Sequence, residues 1–234
     1  MKKILCIIIF ITISCLLFAS SNSENAGRGN GRGNSGAGQG GQEVSIISLI
    51  ASEDFESLSD QEIEMLAYML DEEKLARDVY AAIYEMWNIP IFQNISSSEQ
   101  QHMDSVAFAL ESAGEKYNIP EAGKFNNDHI ADLYRQLTEE ASKSFESALN
   151  VGATIEDLDI YDLLQGTADA ANKGVDILYQ NLMKASRNHL RSFAGQIAQQ
   201  GLVYKAQFIS EEYLDKVLNS SQETQAIIDP EYVF

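Results

Sequence analysis

The chain has 234 residues, with 16 Lys+Arg against 35 Asp+Glu, a formal net charge of −19 and 45% apolar residues. That length suits one domain with a packed core, and the acidic balance disfavours a nucleic-acid backbone or an anionic membrane surface as partner. Both cysteines, Cys6 and Cys15, fall in the first fifteen residues, which excludes a disulfide framework, a thiolate metal site and a cysteine nucleophile from the remainder.

Lys2 and Lys3 precede a charge-free run from Ile4 to Ala19, and small residues follow at Ala19, Ser20 and Ser21. This is the order of a secretory signal, too short for a membrane span. Residues 1–21 are therefore expected to direct export, to a periplasmic, envelope or extracellular location, with no membrane contact after cleavage. A lipid anchor on Cys15 is disfavoured, because Thr12 stands where such signals usually carry Leu. Residues 22–42 hold eight of the fifteen glycines and no large apolar side chain. They cannot bury enough surface to offset their ordering entropy, and read as a flexible linker.

From there to about residue 220 the spacing is helical, and residues 221–234 form a C-terminal tail. A first long helix is expected from Ser59, where Ser59-Asp60-Gln61-Glu62 fits a capping box. Its inner face reads Leu66, Met69, Glu73, Ala76, Tyr80, Ile83, Trp87. A second opens at Pro90, with Phe92, Ile95, Glu99, His102, Val106, Ala109 and Ala113 inward. Gly114, Asn118 and Pro120 mark a loop, and a short helix is expected over about 128–140. A third long helix, about 142–164 and ending before Gly166, puts Phe145, Gly152 and Asp159 on one stripe, with Leu149, Glu156 and Leu163 beside it. A fourth, about 172–200, carries Leu178, Leu182, Ala185, His189 and Phe193 inward and stops at Gly201. A short extended piece and a short helix follow. Four long helices with one apolar stripe each predict an all-α, four-helix bundle.

Every long helix interrupts its stripe with a metal-competent side chain: Glu73, then Glu99 and His102, then Glu156 and Asp159, then His189. Glu99 and His102, three apart, share a helix face. Four carboxylates in an apolar core need a positive charge among them, which one or two divalent cations supply. Carboxylate with imidazole and no sulfur suits Fe, Mn or Zn. Gly152, one turn before Glu156, is expected to leave room in the cavity. Ser96-x-x-Glu99 is also a capping-box pattern, but apolar spacing back through Ile95 to Phe92 places Glu99 inside its helix. Glu72 lies on a different face from Glu73; a solvated Glu72 and a buried Glu73 is expected, with the reverse, and Glu72 as a ligand, as the alternative. Asp159 reads either as a ligand or as an acceptor behind the ligands. Arg77 and Arg187 are candidate partners for ligating carboxylates or Asp78.

This constellation resembles the ferritin-like di-metal carboxylate proteins. The segment EEKLARDVY resembles the rubrerythrin type, in which a metal-binding Glu, here Glu73, is followed by Ala76, Arg77 and Tyr80. Glu99-Gln100-Gln101-His102 is similar to the ferritin-like Glu-x-x-His. EEKLARDVY, NISSSEQQHM and ASRNHLRSF, with IEDLDIYDL between them, further resemble a bacterial and archaeal ferritin-like family known only as a domain of unknown function. That likeness spans about residues 58–218. It departs from the usual pattern at Ser186, which stands three before His189 where a second Glu-x-x-His would place Glu; Asp159 is the candidate replacement.

The resemblance implies a ferritin-like bundle and a di-metal site made by Glu73, Glu99, His102, Glu156, Asp159 and His189. It implies two iron ions, with manganese or zinc as alternatives, and oxygen or peroxide as the reacting partner of a ferroxidase or oxidoreductase. With no cysteine beyond the signal segment there is no terminal iron–sulfur module, so electrons would come from Fe(II) or a partner. The rival expectation is a non-catalytic, metal-stabilised bundle acting as an envelope binding or structural module. The sequence leaves the oligomeric state open, a dimer included.

Overall fold

The structure, a computed structural model, describes residues 45–229 and 232–234; the signal and linker assigned to residues 1–42 lie outside them. Seven helices and no strand occur among the described residues: α1 (Ile46–Ile50), α2 (Asp60–Trp87), α3 (Pro90–Ser112), α4 (Asp128–Ala141), α5 (Phe145–Asp169), α6 (Lys173–Gln199) and α7 (Glu211–Asn219). None of these helices is long and apolar enough to cross a membrane.

The helix ends follow from local chemistry. The Ser59 hydroxyl accepts from Glu62 N at 3.2 Å while the Glu62 carboxylate accepts from Ser59 N at 2.9 Å, a complete capping box. The other oxygen of Glu62 accepts from Ala171 N and Asn172 N at 3.0 and 2.7 Å, tying the start of α2 to the α5–α6 corner. Asn88, in the left-handed region at φ 52°, ends α2, and Pro90 opens α3 after a two-residue link. Asn172 caps α6 through Gly174 N and Val175 N.

The short links after α2 and α5 force two antiparallel hairpins. The α2–α3 and α5–α6 pairs are the most extensive packings, and α2 against α5 with α3 against α6 closes them into a four-helix bundle. α4 lies across α2 and α5, where Trp87 Nε1 donates to Ala141 O at 2.9 Å. Leu66, Met69, Ile83, Phe92, Val106, Leu149, Leu163, Leu178, Leu182 and Phe193 are fully buried, each contributing roughly 1.5–3 kcal/mol of apolar transfer.

Several sequence expectations need correction. α1 has no counterpart among them. α5 begins at Phe145, because Ser142 closes α4 and Ser144 caps the new helix through Ser147 N at 3.0 Å. It also runs through Gly166 to Asp169: a Cβ on Gly166 would sit 3.0 Å from the Tyr179 ring, so that glycine serves close packing with α6 rather than termination. The segment after Gly201 forms no strand. It wraps the fully buried Asp157, which accepts from Tyr204 Oη at 2.7 Å, Gln207 N at 2.6 Å and Ile209 N at 2.8 Å. The residues beyond 220 are anchored: Glu223 pairs with Arg187 at 2.5 Å and Arg191 at 2.9 Å, and Ile227 is buried.

Candidate metal centre

Helical periodicity brings five of the six expected side chains to one interior point. Glu73 sits mid-α2, Glu99 and His102 one turn apart on α3, Glu156 on α5 and His189 on α6. Glu73, Glu99 and Glu156 are each 2% exposed and His102 4%.

Glu99 is the hinge of the arrangement. Its Oε2 lies 2.6 Å from His102 Nδ1, and its Oε1 lies 3.0 Å from His189 Nδ1. Glu73 Oε2 reaches to 3.3 Å of His102 Nδ1, and Glu156 Oε2 to 3.4 Å of His189 Nδ1. The two imidazoles stack with centroids 5.7 Å apart and planes inclined by 24°. Two groups able to hold a metal ion result, Glu73–Glu99–His102 and Glu99–Glu156–His189, and they share Glu99.

These contacts are close without being hydrogen bonds. Glu73 Oε1, Glu99 Oε1, His102 Nδ1 and His189 Nδ1 are all buried and lack a hydrogen-bond partner. Buried polar groups are ordinarily paired, so a cluster of unpaired oxygens and imidazole nitrogens around one space fits donors arranged for cations. The donor set, nitrogen and oxygen only, agrees with Fe, Mn or Zn.

The electrostatics carry the same signature. Burial pushes the Glu73 carboxyl up to about 7, against the pull of His102, and the Glu99 charge adds to the rise. Burial also works to raise Glu99, but His189 and His102 outweigh it and hold that carboxyl well below the usual range. Burial works to lower both histidines. Glu99 and Glu73 nevertheless push His102 well up, and Glu99 and Glu156 bring His189 to about 10. Glu156 is raised by burial, with His189 opposing and Glu99 reinforcing. Protons thus stand in for the missing positive charge.

Supporting residues fix these side chains. Tyr80 Oη donates to Glu156 Oε1 at 2.5 Å and to Gly152 O at 3.2 Å, within a tilted aromatic cluster with Phe92 and Phe193. Ser98 Oγ faces the other nitrogen of His102 at 3.4 Å. Asp159 is partly buried and accepts from the Ser186 hydroxyl, so the residue that departs from the expected Glu-x-x-His positions an acid instead of supplying one. Burial, then the charge of Glu73, then those of Glu156 and Glu99, raise the Asp159 carboxyl well above its ordinary value, against the Ser186 bond. It borders the cluster, outside either three-residue group.

Gly152 does not open a cavity. A Cβ there would meet the Phe193 ring at 2.5 Å, so the glycine admits that ring. Glu72 is not solvated; it is 6% exposed, with one carboxylate oxygen unpaired. Arg77 binds Asp78, one of its two expected partners, and Gln100, while Arg187 binds Glu223. Tyr80's bond to Glu156 and Asp157's structural role were not read from sequence. The first needed the α2–α5 register, and the second needed the chain path after Gly201.

Fold and site define an all-helical bundle with a buried carboxylate–histidine cluster in its core. The chain belongs to the DUF2202 family, described as an uncharacterized protein domain, whose model matches residues 62–221. It is 44% identical over 184 residues to the uncharacterized protein MJ0754 of Methanocaldococcus jannaschii, covering 76% of this chain and 97% of that protein. The crystal structure of hypothetical protein MJ0754 from Methanococcus jannaschii superposes with a TM-score of 0.69 at 43% identity, over 71% of this chain and 96% of the other.

Proposed function

We propose that the protein is an exported, ferritin-like di-metal protein whose two ions, iron or manganese, give it oxidoreductase capacity toward Fe(II), oxygen or peroxide. The observation that carries this reading is Glu99, whose two oxygens each face a different imidazole, in two groups with one further carboxylate apiece. Glu73 and His102 would hold one ion, Glu156 and His189 the other, with Glu99 between them. Two redox-active ions held by these residues would supply the capacity to exchange two electrons with an oxidant.

The remaining residues prepare that site. Tyr80 ties one oxygen of Glu156 and leaves the other facing His189. The Tyr80–Phe92–Phe193 cluster keeps water from that side, and low local dielectric strengthens the carboxylates' hold on a cation. His102 and His189 must give up their protons for their Nδ1 lone pairs to become available.

The test is oxygen uptake during Fe(II) addition, with elemental analysis of the same samples. Uptake and two bound ions, both lost in Glu99→Ala, support the reading. Two tightly bound ions without turnover assign the site to stabilising the bundle, and an unchanged metal content in Glu99→Ala overturns it.

A further inference from the structure

The cluster is not enclosed equally on all sides. Its two imidazoles stack across the seam between α3 and α6, and their side chains differ in exposure. His102 is 5% exposed and His189 13%, against 2% or 3% for the three carboxylates. Ser98 Oγ, at 3.4 Å, stands over the far nitrogen of His102. Solvent therefore meets the cluster first at His189.

Elsewhere the bundle is closed. Along its axis the Tyr80–Phe92–Phe193 cluster bounds one end. Met69, Val106, Leu163 and Leu182, one or two turns away on the opposite side and all fully buried, bound the other. The α2–α3 and α5–α6 pairs pack most extensively, α4 lies across α2 and α5, and α3 meets α6 over a smaller contact. The short α1 packs on both α3 and α6, but the chain just after it, at Glu53 and Phe55, lies against Gly174, about 22 Å along α6 from His189. Small residues flank His189 on the seam. Ala185 and Ser192, one turn before and one after it, are half-buried. They lie on the side of α6 away from Ser186 and Tyr179, which face α5.

We propose that divalent cations and small oxidants reach the pair through the α3–α6 seam, past His189. The Glu156–His189 position then exchanges with solvent first, and the Glu73–His102 position is filled through it. This rests on the di-metal reading of the cluster. Of the two groups, Glu73–Glu99–His102 is wholly buried and Glu99–Glu156–His189 is not. Glu73 also keeps its Oε1 without a partner, whereas Tyr80 engages Oε1 of Glu156 at 2.5 Å. The deeper position thus has one more free oxygen with which to retain an ion.

The experiment follows Co(II) loading of the metal-free full chain, and its release to EDTA, by stopped-flow visible absorption. Wild type, Ala185→Met and Ser192→Met are compared. Circular dichroism monitors folding, and either variant decides the matter should the other fail to fold. A longer side chain in an entrance hinders entry and exit alike, so loading and release should both slow about tenfold while the titrated affinity stays the same. Wild-type rates in the folded variants overturn the route. So does a changed affinity with an unchanged loading rate, which would make these residues part of the site rather than of its approach. Wild type should also release Co(II) in two phases, of which His189→Ala keeps the slower and loses the faster. A fast phase that survives in His189→Ala, or loss of both, overturns the order of exchange. A wild type that takes up two ions at rates the variants do not alter strikes the route alone, whereas one that binds no Co(II) removes the di-metal reading, and the wild-type titration by itself tells these apart.

Discussion

Glu156 and Asp157 are neighbours on α5, and both are buried, at 2% and 0% exposure. One turns toward the bundle axis and meets His189 and the shared Glu99 cluster. The other turns toward the segment after Gly201, where a phenol and backbone N–H groups saturate it. Burial of an acid is therefore no sign of a site by itself. The partners decide. Where hydrogen-bond donors surround the carboxylate it is structural, and where imidazole nitrogens and other carboxylates surround it the positive charge has to be supplied by protons or by a cation that displaces them.

The largest break in that comparison is Asp157→Ala. The N–H groups of Gln207 and Ile209 and the Tyr204 hydroxyl lose their acceptor, at about 1–3 kcal/mol for each donor left unsatisfied. We expect urea unfolding to show a loss of at least about 3 kcal/mol, with metal content per folded molecule unchanged.

Chelation is the complementary break. Metal at a hundredfold excess over its Kd stabilises the fold by about 2.7 kcal/mol. Stripping it from wild type should lower the melting temperature accordingly, while Glu99→Ala, already unable to bridge, should show no chelator response. The gap should widen with pH. In the metal-free protein His189 is raised from 6.5 to about 10, so its contribution is full below pH 6.5 and is lost as pH rises toward 10. Glu73, raised from 4.5 to about 7, acts in the same direction, because its folded form holds a proton that the unfolded chain releases earlier. Cations compete with these protons, so metal affinity climbs over the range in which the metal-free fold weakens. Melting curves from pH 6.5 to 9, with and without metal, measure both effects. A gap that narrows over this range contradicts the assignment.

The smallest effect sharpens the packing side. Gly152→Ala places a Cβ 2.5 Å from the Phe193 ring, an overpacking worth about 1–3 kcal/mol. The ring must shift, and with it the aromatic cluster around Tyr80. Calorimetry should show the loss of stability, and metal titration should show a weaker Glu156 side.

How far the sequence reached follows from range. The stripe Leu66, Met69, Glu73, Tyr80 and Ile83 announced both its helix and the interruption at Glu73, because helical periodicity acts over a few residues. Glu99 and His102 were legible for the same reason. Once four stripes pointed inward, Glu156 and His189 had to join them. Glu72 was misread because a period assigns one inner face to each helix, whereas α2 is contacted by α3, α4 and α5 and so buries more than one side. Asp157 could not be read as structural, since its donors lie about fifty residues away on an irregular segment. Gly152 and Gly166 stood out in sequence, but their reasons, the Phe193 and Tyr179 rings, come from α6.

The most direct test of the bridging role of Glu99 is anomalous X-ray scattering from crystals soaked in Mn(II) or Fe(II), recorded at the metal edge. Two peaks about 3.5–4 Å apart on either side of the Glu99 carboxylate, one beside Glu73 and His102 and the other beside Glu156 and His189, are the expected result. Saturated crystals with no peak there, and with both imidazoles hydrogen-bonded to the carboxylates, would contradict it.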